Sequence, residues 1–325
     1  MFLNGQQLKK VLIRAKREGY ALTANNVTTG TMMRAMVSAA SQSHSDCILQ
    51  LGIWSSRYAL GRAEGADLQP ITRLLCEWIR LLAERYPHCG IALSQDHCFA
   101  ADIDWVYWVI DSGLVSSMMI DGSSLPLEEN IRLTRSVVER AHPKGVLVEG
   151  EVGRISGCGP DAEYTDPDQA VEFAAKTGVD LFSPAIGTNH GVSIARKVHL
   201  RYELLDRINA GLDRHGLSDI GMALHGASGL SAEHHHECIR RGVVKFNKDT
   251  SYQEAFARAS VEFWDAARDA ILPPPAAGDD FEPDKRRFDS RMYLRKMEQA
   301  CAAAAGELMD ICGSSGRTTS ERQNV

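Results

Sequence analysis

The sequence predicts an α/β fold: a (β/α)8 TIM barrel with an extra N-terminal helix and a C-terminal helical extension. Three observations carry that expectation. Short apolar, β-prone runs alternate with longer segments of helical period along most of the chain. The alternation repeats eight times, which implies a closed parallel barrel rather than an open sheet. Polar residues collect where seven of the eight runs meet their following loops, the end at which such barrels carry their active sites. A doubly wound sheet is the rival architecture, but no GxGxxG follows the first run.

The elements follow in order. The first twenty residues, MFLNGQQLKKVLIRAKREGY, have an amphipathic helical pattern interrupted by charges. Strands are expected at 21–26, 47–52, 90–96, 116–121, 146–153, 180–187, 220–228 and 243–250. Helices fit after them at 31–44, 67–86, 101–112, 127–142, 167–177, 201–215, 232–241 and 252–270. Asp166-Pro167 and Ser231 supply helix starts, and Gly113, Gly178 and Gly242 supply stops. The barrel thus occupies residues 1–270. Pro273-Pro274-Pro275 and an acidic stretch then read as a connector to a helix over about 291–312, packed on the outside. The polar tail, 313–325, is expected to be disordered.

Composition narrows the function. A chain of 325 residues with 44% hydrophobic and 24% charged residues buries a sizeable core in the manner of a soluble globular protein. A net charge of −6, with no run of Lys and Arg reading as a basic face, argues against nucleic acid as the partner. A small anionic substrate needs only a local positive site. The eight cysteines form no CxxC pair and read as buried thiols of a reducing cytosol. No segment has the apolar length of a signal peptide or a membrane span, so a cytoplasmic location is expected.

The rim residues specify the chemistry. His97 follows the third strand, His190 the sixth and His225 the seventh. Three imidazoles with an open fourth position make a catalytic zinc site able to polarise a carbonyl. Asp96 precedes His97. Because neighbouring strand residues diverge, one can hold metal while the other serves as acid and base. The competing role for Asp96 is a cap on the next helix. Glu149 and Glu151 alternate on the fifth strand and point the same way, which offers a spare metal ligand. The run His234-His235-His236 reads as a solvated helix start, since consecutive helical residues diverge. Gly226-Ala227-Ser228-Gly229 and Asn247-Lys248-Asp249-Thr250 follow the last two strands, where barrels of this kind commonly hold phosphate.

With these residues in view, the chain resembles the class II fructose-bisphosphate and tagatose-bisphosphate aldolases. The resemblance runs from the first helix to about residue 313. Its strongest stretch is Met119-Ile120-Asp121-Gly122-Ser123-Ser124-Leu125-Pro126-Leu127-Glu128-Glu129-Asn130, followed by Val148-Glu149-Gly150-Glu151-Val152-Gly153. Ala185-Ile186-Gly187-Thr188-Asn189-His190-Gly191, Leu224-His225-Gly226-Ala227-Ser228-Gly229 and Lys245-Phe246-Asn247-Lys248-Asp249-Thr250 extend it in order.

The resemblance implies that His97, His190 and His225 hold the zinc and that Asp96 is the acid/base on the aldehyde oxygen. It places Asp121 and Glu151 at a secondary metal position. Gly191, Gly226, Ser228, Asn247, Asp249 and Thr250 would hold dihydroxyacetone phosphate, beside a monovalent cation, Na+ or K+. It further implies reversible aldol cleavage of a ketose bisphosphate through an enediolate, a place in carbohydrate metabolism such as glycolysis, and a homodimer or homotetramer.

Three positions depart from the family pattern. Gly159 stands where the family's loop glutamate exchanges the ketose proton, which leaves Asp161 as the nearest replacement carboxylate. Leu93-Ser94-Gln95-Asp96-His97 lacks the first histidine of the common LHLDH. Gly52-Ile53-Trp54 replaces a Ser or Thr near the phosphate. Two alternatives therefore stand beside the fructose-bisphosphate-like reading: an aldolase acting on a non-glycolytic sugar phosphate, and a zinc hydrolase or isomerase built on the same site.

Overall fold

A computed structural model describes residues 1–61, 67–156, 162–190, 198–273 and 281–319. Eight parallel strands close into a barrel in sequence order: β1 (Leu22–Asn26), β2 (Cys47–Gly52), β3 (Ile91–Cys98), β4 (Ser117–Ile120), β5 (Leu147–Val152), β6 (Leu181–Pro184), β7 (Gly221–Leu224) and β8 (Val243–Lys248). Closure is made by β8 on β1, in the register Ala24↔Asn247. The helices are α1 (Gly5–Glu18), α2 (Gly30–Gln42), α3 (Ile53–Ala59), α4 (Gln69–Glu84), α5 (Ile103–Ser112), α6 (Leu127–Ala141), α7 (Pro167–Thr177), α8 (Tyr202–Arg214), α9 (Ala232–Ile239), α10 (Thr250–Ala267), α11 (Lys285–Phe288) and α12 (Ser290–Ile311).

Two apolar layers hold this together. The larger lies between sheet and helices, where Leu49, Leu93, Val148, Phe182 and Phe246 meet Met36, Ile79, Phe173 and Leu205. The smaller fills the lower barrel. There Leu22, Ile48, Ala92, Leu147, Leu181 and Val244 pack against Leu8, Val11, Leu12 and Ala15 of α1. The apolar stripe of α1 is therefore a plug for the amino-terminal end of the barrel, which leaves only the other end open. Asn4 and Gln7 form its capping box, and Gly19 ends it in the left-handed conformation.

The sequence signals for α7 hold as well. Asp166 accepts from the N–H groups of Asp168 and Gln169, Pro167 opens the helix, and Gly178 closes it with φ 71°. Helix α12 lies across α2 and α10 as an outer layer, tied by the Arg34–Glu298 ion pair of 2.6 Å.

Three features differ from expectation. Residues following β2 form α3, held by the Ser55 hydroxyl on Val27 O and by Thr72 on Ser56. Seven residues with aromatic and serine side chains are too few to display a helical period. Strands β6 and β7 end at Pro184 and Leu224, earlier than predicted, because the chain turns into the site there.

The expected disorder from residue 313 does not apply to 313–319. Ser314 is buried and hydrogen-bonds Ser45, Arg317 bridges Ser45 through backbone, and Thr319 donates to the buried Asp46 carboxylate. Residues 320–325 lie outside the described ones. The seven described cysteines are all buried free thiols, and among the described residues no helix is long and apolar enough to cross a membrane.

Candidate active site

The open end of the barrel holds a cavity of about 230 Å³. Asp96, His97, His190, His225, Gly226, Ser228, Asn247, Asp249 and Thr250 all line it. Most of the rim residues singled out in the sequence therefore share one space.

Strand β3 delivers two of them by an irregularity. A regular strand sends neighbours to opposite faces. Here the pairing of β3 with β4 shifts between Gln95 and Cys98, and His97 takes φ 44°, which non-glycine residues rarely adopt. The bulge lets Asp96 and His97 both face the cavity, at a backbone cost of about 1–3 kcal/mol.

Asp96 is not a helix cap. Its carboxylate accepts from three carboxamides: Asn26 at 2.9 Å, Gln50 at 2.9 Å and Asn247 at 3.0 Å. Burial works against its charge, but His97, His225, Lys245 and the Asn26 hydrogen bond outweigh it and hold its pKa at about 2. Asn26, Gln50 and Asn247 sit on β1, β2 and β8, so three strands fix the position of one carboxylate.

The imidazoles of His97 and His225 meet nitrogen to nitrogen. His97 Nε2 lies 2.9 Å from His225 Nδ1. The far nitrogen of each ring rests on a carboxylate: His97 Nδ1 on Asp121 at 3.1 Å, and His225 Nε2 on Glu149 at 2.8 Å. A metal-binding imidazole is ordinarily oriented in this way, its second nitrogen held by an acidic group. The ligand atoms of Asp96, His97 and His225 lie within 4.8 Å of one another, as do those of His97, Asp121 and Glu151.

Glu151 supplies the second sign of a cation site. Its Oε2 is buried with no hydrogen-bond partner, and burial together with the nearby Asp121 charge pushes its pKa up to about 8. Burial lowers the His97 pKa, yet Asp96, Asp121 and Glu151 outweigh it and raise the ring to about 9. A concentration of negative charge around facing imidazoles fits a divalent cation, and zinc suits nitrogen donors of this kind.

His190 stands at the mouth of the cavity. Its ring centroid is 5.6 Å from that of His97, and it belongs to neither group of converging ligand atoms. Burial and the neighbouring His97 and His225 lower its pKa, which favours the neutral ring. Gly191 and the adjoining residues to 197 lie outside the described ones, as does Asp161 in the segment 157–161.

Next to His225, Gly226 has φ 64°, and a Cβ there would stand 2.7 Å from Asn189 O. Both the turn and the close approach therefore require glycine. Ser228 and Asn247 are buried, and Thr250 is the first residue of α10. Burial raises the Asp249 pKa against the hydrogen bond from Gln253.

Sequence reasoning missed three contributors: Lys245, which pairs with Glu149 at 2.6 Å, Gln50 beneath Asp96, and Glu149 as the support of His225. The alternation of Lys245 with Asn247 in the run VVKFNK was the available signal that this lysine faces inward. His235 also departs from the solvated position expected of it. It is buried, with its ring 4.6 Å from that of Phe246, while His234 joins the capping box of α9.

Comparison with known proteins agrees with this geometry. The sequence model of the family described as fructose-bisphosphate aldolase class-II matches residues 6–317. A fructose-bisphosphate aldolase of Helicobacter pylori J99 is 29% identical over 331 residues, covering 95% of this chain and 98% of that protein. The crystal structure of the Campylobacter jejuni fructose-bisphosphate aldolase superposes with a TM-score of 0.85 at 25% identity, covering 97% of both chains. The YdjI aldolase of Escherichia coli K12 gives 0.71 at 25% identity, covering 96% of this chain and 98% of that one. The chain belongs to the class II fructose-bisphosphate aldolase family and is an aldehyde-lyase.

Proposed function

We propose that this protein is a zinc-dependent aldolase that reversibly cleaves a fructose-1,6-bisphosphate-like ketose phosphate into dihydroxyacetone phosphate and an aldehyde. One observation carries the reading: two imidazole nitrogens converge at 2.9 Å with their far nitrogens on carboxylates, directly beside a buried, amide-held Asp96. His97 and His225 would hold the zinc, with His190 reaching it from the mouth of the cavity. Asp121 and Glu151 would form a secondary position for the cation.

Zinc held there supplies Lewis acidity toward the ketose oxygens, and so acidifies the neighbouring carbon-bound proton. The remaining work falls to this chain's side chains. Asp96, held as a carboxylate, takes the hydroxyl proton of the ketose during cleavage and returns it to the aldehyde oxygen during condensation. The amides of Asn26, Gln50 and Asn247 fix the carboxylate, so that this transfer needs little reorganisation.

Gly191, Gly226, Ser228, Asn247, Asp249 and Thr250 would bind the three-carbon phosphate, with Na+ or K+ as an accompanying ion. Asp161 would exchange the carbon-bound proton in place of the glutamate that Gly159 replaces. A cytoplasmic homodimer or homotetramer completes the proposal.

A second reading concerns the aldehyde partner. Gly159 in place of the family's loop glutamate, and Gly52-Ile53-Trp54 in place of its Ser or Thr, depart from the sequence pattern of the fructose-bisphosphate enzymes. They favour a sugar phosphate outside glycolysis. A screen of aldehydes with dihydroxyacetone phosphate, read by product mass, separates the two. Absence of any zinc-dependent carbon–carbon bond formation would leave the hydrolase or isomerase alternative standing.

A further inference from the structure

Strands β5 and β6 end their pairing in the register Val152↔Pro184. Along a parallel ladder every second residue of one strand donates to its neighbour, and here Asp180 N–H donates to Val148 O at 3.0 Å. Four residues further on, the same register sets Pro184 against Val152 O, and a proline has no hydrogen to donate. The missing bond comes from outside the sheet. The hydroxyl of Thr165 donates to Val152 O and accepts from Ala185 N–H at 2.7 Å, while the Thr165 backbone N–H donates to Ala185 O at 2.9 Å. Thr165 is buried, and Gly153 makes room for it, since a Cβ there would stand 2.6 Å from its hydroxyl oxygen. Capping of α7 does not explain this residue, because Asp166 performs it.

Thr165 therefore stands where two strands of the site leave the sheet. Val152 directly follows Glu151, and Ala185 opens the segment that leads to His190. Arg201 secures the same segment through its N–H on Ile186 O, and its guanidinium lies 5.0 Å over the ring of Tyr164, the residue before Thr165. We infer that Thr165 is a positioning residue for the cation. By bridging Val152 and Ala185 it keeps Glu151 and His190 in register across two strands that no longer pair. This inference rests on the zinc-aldolase reading above and adds to it the residue that holds these two groups in relation to each other.

The test compares Thr165→Val, which keeps the shape and removes both hydroxyl bonds, with Thr165→Ser, which keeps the hydroxyl. The zinc Kd, read by competition with a chromophoric chelator, is expected to rise about 10–100-fold in Thr165→Val, as for loss of a group that orients metal ligands. With zinc saturating and well below the thermal midpoint, kcat for solvent proton exchange into dihydroxyacetone phosphate should fall about 10-fold or more, with KM nearly kept. Thr165→Ser should restore most of both.

An unchanged zinc Kd in Thr165→Val, with only the thermal midpoint lowered, overturns the inference, and so does a serine variant as impaired as the valine. Pro184→Ala added to Thr165→Val returns an N–H to face Val152 O but leaves Ala185 N–H unbridged. The double variant should regain thermal midpoint without regaining zinc affinity. Recovery of both would show that strand pairing alone suffices, and overturns the inference. Should Thr165→Val not fold, the double variant carries the same zinc and exchange measurements. Thr165-dependent zinc binding without any proton exchange or aldol activity would overturn the proposed reaction while leaving this inference intact.

Discussion

Lys245 Nζ lies 2.6 Å from Glu149 Oε2, with both side chains sealed inside the barrel, and the other oxygen of Glu149 holds His225. Burial alone would push Glu149 up, but Lys245 and His225 outweigh it and keep its pKa below the ordinary carboxylate range. The ion pair thus serves an imidazole rather than the stability of the barrel. Removing one partner strands a buried charge, so Lys245→Met is expected to cost about 3–5 kcal/mol in denaturant unfolding. Glu149→Gln should lower metal affinity about 10–100-fold. The double variant should recover most of the stability and none of the affinity. A double variant as unstable as Lys245→Met alone would refute this account.

The metal site has its own test. The purified protein is expected to carry about one tightly held zinc per chain, and His225→Ala to lose most of it, since no other side chain replaces that nitrogen. Metal analysis after dialysis against a weak chelator reads the outcome. Full occupancy with activity in His225→Ala would remove the site from His225.

Asp96→Ala should leave fold and metal content in place while lowering cleavage about 10²–10⁴-fold, the usual contribution of a positioned acid/base. Steady-state cleavage with zinc content measured on the same sample checks it. Turnover near that of the wild type would mean that the three amides hold Asp96 for structural reasons only.

Asp161 is proposed as the base, because a carbon-bound proton must leave to some base and Gly159 offers none. Loop ends can move several ångströms on closure. Asp161→Asn and Glu163→Gln are to be compared by deuterium exchange into dihydroxyacetone phosphate without aldehyde. Asp161→Asn is expected to slow exchange more. Exchange at the wild-type rate in both would assign the proton to water or substrate.

Asp180 links the barrel floor to pH. Burial raises its pKa, but hydrogen bonds from His142 and Lys9 and from Val148 N–H outweigh it and leave the value below that of an ordinary carboxylate. The unfolded chain therefore binds this proton more readily. The contribution to stability is full above the unfolded value, about 3.9, and disappears as pH falls through the folded value. Asp180→Asn should be less stable near neutral pH by about 1–3 kcal/mol, with the difference shrinking below about pH 4. Denaturation curves at several pH values provide the measurement, and a constant difference across them would contradict it.

The sequence alone determined the architecture, because periodicity and caps are local. The alternation of apolar runs with helical segments, Asp166-Pro167 at one helix start and Gly178 at its end, required no knowledge of distant contacts. It also located the rim, since Asp96, His97, His225, Asn247 and Thr250 each follow an apolar run. Tertiary structure decided which atoms meet. The bulge and left-handed φ that bring Asp96 and His97 to one side depend on β3 pairing with β4, and no residue pattern marks them. Gln50 beneath Asp96 and Lys245 on Glu149 span 46 and 96 residues, distances over which sequence carries no register. Barrel closure, which sets β8 beside β1, is what turns Asn26, Gln50 and Asn247 into one cradle around a single carboxylate.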